Sequence, residues 1–353
     1  MTARVEVREA MRVTTEGAAA LEAFLRSVAD DVDTVKVLSM APIGGGYSRV
    51  MMRAEVEWSH PGERRVETLV LRGDPPPGQA AFETDRDLEW SILSALNGRV
   101  PMPAARYYDA AGSALGAKTI VLDHVPGPSL LAHLASGVDL GPVGIQIAEV
   151  AAAIHAVDLD VLPPGAPRPP DWSTYLDALI AQWGDAERAH VERDPFMRHV
   201  GAWLDAHRPP PSPLTLVHGD FQSANLLVGD DALLLVDWEF AHIGDPREDL
   251  GWFMAVAMAA PPDPISYDLD AFCARYRELT GISEGVVNPW SLGYFVVLGA
   301  IRIFANLIAA NAAFVRGDTA SITVPYNVNA AAFAHNVWIA AIGGLEAIGA
   351  PRP

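Results

Sequence analysis

The 353-residue chain is 50% hydrophobic and 20% charged, which excludes a disordered polymer and supplies core for about two domains. Its formal net charge of -19 repels phosphate backbones and attracts cations, so no nucleic acid partner is expected and cationic or metal-chelated ligands are favoured. Cys273 is the single cysteine, which excludes an internal disulfide and a cysteine-built zinc site.

The first residues, MTARVEVREAMRV, lack the apolar run of a secretion signal, and the expected location is the cytoplasm. Four β-branched runs follow: TVKVLSM (34–40), SRVMMRAEVEW (48–58), VETLVLR (66–72) and KTIVLDHV (118–125). Each is short and bounded by Gly, Pro or Asp, which predicts strands. Between the third and fourth, AAFETDRDLEWSILSAL (80–96) sets Phe82, Leu88, Ile92, Leu93 and Leu96 mostly at helical spacing, with NGRVPMP as the stop. The pattern predicts a small sheet with one main helix.

After VPGPS (125–129) the texture turns helical, over 142–157, 171–190, 194–207, 247–259, 268–279, 288–315 and 327–348. LPPGAPRPP and RPPPSP break the run, because proline lacks the N–H and clashes with the preceding turn. Residues 294–314, YFVVLGAIRIFANLIAANAAF, are long enough to test as a membrane span. Arg302 at the centre would cost roughly 2.5–3.5 kcal/mol there, with Asn306 and Asn311 adding to the penalty, so a buried helix is expected and no membrane partner. Arg302 and Asn306 share a face, and an acidic residue such as Asp249 is the expected partner of Arg302. Trp172, Tyr175, Trp183, Trp290 and Tyr294 could line a pocket, with core packing as the default for each. The expected organisation is a sheet-rich lobe over 1–125, a linker near Asp123 to Pro128, and a helical lobe over 126–353 with a small β insertion.

That insertion carries the chemistry. In LTLVHGDFQSANLLV (214–228) a short apolar strand ends at His218-Gly219-Asp220, and Asn225 follows five residues after Asp220. A further extended run, ALLLVD (232–237), ends at Asp237. Two carboxylates and a carboxamide thus sit at strand ends, the usual place for catalytic loops on a rigid scaffold. Phosphoryl transfer needs this set. Mg²⁺ takes hard oxygen ligands from one or two protein groups and the rest from phosphate and water, which Asp237 and Asn225 could supply. Asp220 is then the candidate for the proton of the attacking hydroxyl. His218 reads as a brace for the loop, and Asp245, Asp249 and the helical His155 as structural residues.

HGDFQSANLL followed by VDWEFAHIGDPREDLGW resembles the aminoglycoside phosphotransferase and choline kinase group, over nearly the whole chain. The resemblance implies a protein-kinase-like, two-lobed α+β fold, with a small β-rich N-lobe and a larger helical C-lobe. It implies Asp220 as the catalytic base and Asn225 and Asp237 as ligands of Mg²⁺. The nucleotide would be ATP and the partner a small-molecule hydroxyl acceptor. In the N-lobe, PIGGGYSRV offers Gly44, Gly45, Gly46 and Ser48 to the phosphates. TLVLRGDPPPG puts Arg72 where relatives have Lys, Glu89 would pair with it, and Asp123 to Val125 in TIVLDHVPG would meet adenine through backbone groups. Arginine carries the charge without being a geometric equivalent of lysine. LR followed by prolines is similar to the phosphotransferase domains associated with acyl-CoA dehydrogenases. A nucleotide-binding pseudoenzyme that regulates a partner is the alternative, which the three intact oxygen groups disfavour.

Overall fold

A computed structural model describes residues 16–30, 32–43, 50–60, 62–74, 84–190, 195–258, 260–317 and 323–349. Gly44, Gly45, Gly46 and Ser48, and the side chains of Trp183, Arg302 and Asn306, lie outside the described set. The chain forms two compact units, one of Met1–Gly98 with Met102–Pro126 and one of Arg99–Pro101 with Gly127–Pro353.

The first unit is built on five strands, β1 (Thr34–Pro42), β2 (Val50–His60), β3 (Glu63–Gly73), β4 (Ala105–Asp109) and β5 (Thr119–Asp123), in the order β1-β2-β3-β5-β4. Every neighbouring pair is antiparallel. Along β2 the buried residues Ala54, Val56 and Trp58 alternate with more exposed ones, as a strand covered on one face requires. The cover includes helix α1 over 16–28, whose Leu21, Phe24 and Leu25 pack with Val35, Val56, Trp58, Leu69, Leu71 and Val121. Their spacing of three and four is one helical stripe, and each such side chain stabilises by about 1.5–3 kcal/mol when buried. Neither α1 nor β4 was among the expected elements. β4 is held by a side chain, since Asn97 donates to Ala105 O and accepts from Ala105 N, both at 2.8 Å. Helix α2 (Arg86–Leu96) starts where Asp85 accepts from the amides of Asp87 and Leu88, and it stops at Asn97.

The second unit is mainly helical: α3 (Leu130–Leu134), α4 (Leu140–His155), α5 (Trp172–His190), α6 (Pro195–Ala206), α7 (Arg247–Ala257), α8 (Pro264–Tyr267), α9 (Leu269–Thr280), α10 (Pro289–Arg316) and α11 (Thr323–Ile348). Tyr175, Trp290 and Tyr294 are buried in it, and the half-buried Trp172 donates its indole N–H to Asp245. Among the described residues no helix is long and apolar enough to cross a membrane. Two short antiparallel ladders interrupt the helices, β6 (Thr215–Val217) with β9 (His242–Gly244), and β7 (Leu226–Val228) with β8 (Leu233–Leu235). These ladders position the candidate site.

Candidate active site

β6 delivers the chain to Gly219, whose φ is +78°. A Cβ there would stand 2.4 Å from the Phe240 carbonyl oxygen, so both the backbone conformation and the close approach demand glycine. G219A is therefore expected to lower unfolding free energy by at least roughly 1–3 kcal/mol, read from urea denaturation. His218 then folds back over the turn. Its Nδ1 accepts the Asp220 amide at 3.2 Å and its Nε2 meets Val236 O at 3.1 Å. An amide can only donate and a carbonyl only accept, so the imidazole is the neutral Nε2–H tautomer. Both nitrogens are occupied in bracing the loop.

The β7–β8 hairpin brings the remaining polar groups alongside. Asn225 immediately precedes β7 and Asp237 follows β8 by two residues, and Val236 N donates to Asn225 O at 2.9 Å. Asp237 has φ 71°, the one positive φ among the described non-glycine residues. Such a conformation costs about 1–3 kcal/mol and persists where the surroundings enforce it. Here His218 on Val236, and Trp238 donating to Leu235 O at 3.3 Å, hold both sides of the residue.

Among the described residues, N–H donors of Gln222, Trp252 and Asn225 hold the Asp220 carboxylate. Gln222 Nε2 and Trp252 Nε1 reach Oδ1 at 2.7 and 2.9 Å, and Asn225 Nδ2 reaches Oδ2 at 2.8 Å. Asn225 Nδ2 also donates to the Asp220 carbonyl at 3.0 Å. The amide nitrogen of Asn225 is thus committed to Asp220, which leaves its oxygen as the group suited to a cation. Among the described residues no cluster of three or more His, Cys, Asp or Glu stands ready to hold a metal alone. One carboxylate, Asp237, with one carboxamide oxygen is the donor set suited to Mg²⁺ shared with phosphate oxygens.

Helix α7 anchors the loop from beneath. Asp249, fully buried, accepts from His218 N at 2.8 Å and Gly219 N at 2.9 Å. Behind it, Tyr276 Oη lies 2.7 Å from His155 Nδ1, and His155 Nε2 lies 3.2 Å from Asp249 Oδ2. Burial pushes the Tyr276 phenol well above its ordinary pKa, so it stays protonated, and since a carboxylate can only accept, His155 donates to Asp249 through Nε2. Burial also opposes ionisation of Asp249, but the hydrogen bonds from His155 and the His218 amide outweigh it and hold the carboxyl below its ordinary range. Asp249 is therefore committed to the loop and to His155. The side chain of Arg302, its expected partner, is outside the described residues. Asp245 makes a bidentate pair with fully buried Arg247, at 2.9 and 2.6 Å, and Arg247 also donates to Val286 O and Pro210 O.

In the first unit Arg72 is buried, with Nη1 2.5 Å from Glu89 Oε1. Glu89 is shared: its Oε2 takes Arg86, also at 2.5 Å, and Arg86 continues to Asp74 at 2.8 Å. Arg86 had no place in the sequence reading, although a cation in the first turn of a helix opposes the macrodipole and so needs a compensating partner. At the end of β5, the Asp123 amide donates to Ala104 O at 2.9 Å and the His124 amide to Thr68 O at 3.2 Å. The Asp123 side chain pairs with Arg106 at 2.9 Å. Of the three amides, that of Val125 is the one without a protein partner among the described residues.

The structure thus brings Asp220, Asn225 and Asp237 together at the ends of one pair of loops, and Arg72 with Glu89 in the other unit. Sequence reading passed over Gln222 and Trp252, which touch Asp220 directly. The available signal was positional: Gln222 lies two residues past Asp220, and Trp252 stands three past Asp249 on the same helix.

The profile of a phosphotransferase enzyme family (APH) matches residues 40–282. A 198-residue segment is 29% identical to acyl-CoA dehydrogenase family member 10 of Mus musculus, taking in 52% of this chain and 18% of that protein. The chain therefore spans only a small part of this relative. Among solved structures, an inferred aminoglycoside phosphotransferase of Ralstonia eutropha superimposes with a TM-score of 0.66 at 21% identity, over 92% of this chain and 98% of that one. A thermostable mutant of aminoglycoside phosphotransferase APH(4)-Ia, in a ternary complex with ADP and hygromycin B, gives 0.59 at 17% identity, over 92% and 98% of the two chains. These structural likenesses are of fold.

Proposed function

We propose, from the premise that this chain belongs to the phosphotransferase enzyme family, that it moves the γ-phosphoryl group of ATP to a hydroxyl of a small molecule in the cytoplasm. Residues 1–125 act as the nucleotide-binding lobe, and 126–353 carry the catalytic loop, metal site and acceptor pocket. The observation that carries the reading is the Asp220 carboxylate, oriented by N–H donors beside an Asn225 whose oxygen remains for a cation.

In this reading the acceptor oxygen attacks the γ-phosphorus, its proton passes to Asp220, and the bond from phosphorus to the β–γ bridging oxygen breaks to release ADP. Asp220 orients the hydroxyl before the attack and holds the proton after it. Asn225 and Asp237 would hold Mg²⁺, which offsets the charge of the phosphate oxygens. Arg72, fixed by Glu89, adds a guanidinium to the nucleotide phosphates, joined by the backbone of Gly44, Gly45, Gly46 and the hydroxyl of Ser48. Adenine meets the backbone over Asp123 to Val125, with the Val125 amide as the available donor. The net charge of -19 suits a cationic acceptor such as an amino sugar, though another hydroxylated metabolite would meet the same base.

R72K tests the nucleotide side. A lysine keeps the charge and loses the planar fork, so KM for ATP is expected to rise roughly tenfold with a smaller change in kcat. The reading as a whole is tested by ADP release from ATP and Mg²⁺ over a panel of hydroxyl compounds. Stabilisation by ATP with no transfer to any acceptor would favour the regulatory pseudoenzyme.

A further inference from the structure

We propose that Trp252 is a positioning residue for the reaction: its indole N–H, carried on α7, fixes the orientation of the Asp220 carboxylate. The inference rests on the reading of Asp220 as the base. Trp252 Nε1 lies 2.9 Å from Asp220 Oδ1. Three residues earlier on the same helix, Asp249 takes the amides of His218 and Gly219, and side chains so spaced share a face. One face of α7 therefore holds both the backbone leading into Asp220 and the reacting group itself.

Simple satisfaction of a polar atom does not account for the contact, because Gln222 already donates to the same oxygen at 2.7 Å. Gln222 belongs to the loop and moves with it. Trp252, half-buried on α7, ties the carboxylate to a helix outside the loop. That helix has little slack. Arg247 at the start of α7 is buried and bonded to Pro210 O, Val286 O and Asp245. At Gly251 a Cβ would stand 2.5 Å from the backbone of Phe295 on α10, so the two helices meet backbone to backbone. Trp252 itself lies against Gly299, with its Cα and Cε3 3.5 Å from where a Cβ would stand. The indole is a donor only, so it cannot take the hydroxyl proton. Its contribution is direction, and an error of about 1 Å in a reacting group can cost roughly 100-fold in rate.

The test compares W252F with W252H, using ATP and Mg²⁺ with water as acceptor. Phenylalanine keeps an aromatic ring and deletes the donor, whereas histidine keeps a ring N–H. W252F is expected to lower kcat for ADP release by roughly 10- to 100-fold. KM for ATP should stay within about twofold, since the contact acts on the carboxylate and not on the nucleotide. W252H should recover part of the loss. A W252F protein with unchanged kcat, or one altered in KM alone, overturns the proposal. If W252F does not fold, proton NMR of the unsubstituted protein decides: a Trp252 indole proton protected from exchange supports it, and one exchanging as fast as an exposed indole overturns it. D220N separates the two claims. Full ADP release by D220N overturns the base assignment, whereas an inactive D220N beside a fully active W252F overturns only the role of Trp252.

Discussion

D220N is expected to lower kcat for phosphoryl transfer by roughly 10²–10⁴-fold, the range that a positioned general base supplies, while the protein stays folded. The geometry explains why loss of function without loss of fold is expected. Asn225, Gln222 and Trp252 all donate N–H to the carboxylate. A carboxamide at position 220 still presents one oxygen to these donors, so part of the network survives. The amide cannot accept the hydroxyl proton, so the chemical step fails where the scaffold does not. Steady-state ADP release, with a thermal melt on the same preparation, checks both halves of this expectation. An unfolded D220N would show that the carboxylate is chiefly structural.

D249A is expected to act the opposite way, through the fold first. Asp249 is buried and carries the amides of His218 and Gly219 together with His155. Removing it strands two backbone donors and an imidazole in an apolar interior. The cost is about 3–5 kcal/mol, the range for breaking a buried charged contact on one side. Urea denaturation followed by fluorescence measures it. Activity should fall as well, because the turn preceding Asp220 loses its anchor. The pH dependence has a definite sign. The Asp249 carboxyl is held below its ordinary range in the folded protein. Its contribution is therefore present above the unfolded-state value of about 3.9 and is lost as pH falls through the lower folded value. Acid unfolding of the native protein should include this loss, and D249A should flatten the acid limb of its stability curve. An unchanged limb would show that Asp249 does not titrate with folding.

Much of the second unit could be read from residue spacing. Proline-rich breaks marked helix ends, and the apolar runs LTLV, NLLV and ALLLVD marked β6, β7 and β8, while β9, the partner of β6, was not among the expected strands. The same reading failed for α1, although its Leu21, Phe24 and Leu25 make a full helical stripe. It failed for β4, whose five residues are held by Asn97 and the edge of β5 more than by their own propensity. At the site, sequence separation set the limit. Asp220 and Asn225 are near neighbours in the chain, so their pairing was visible. Trp252 meets Asp220 across 32 positions and His155 meets Asp249 across 94. Such contacts depend on how α4, α7 and α9 pack, which local pattern does not encode. Arg86 was hidden for another reason: its sharing of Glu89 follows from helix geometry at i,i+3, but a charged residue at a helix start reads as solvent-facing until its burial is known.

Phosphorus NMR of the protein with ATP, Mg²⁺ and a panel of hydroxyl compounds tests the central claim most directly. The account predicts a new phosphomonoester resonance that grows as ATP is converted to ADP, and that D220N does not produce. ATP that stays intact with every acceptor, while still stabilising the protein against heat, would contradict it, as would a phosphomonoester formed equally fast by D220N.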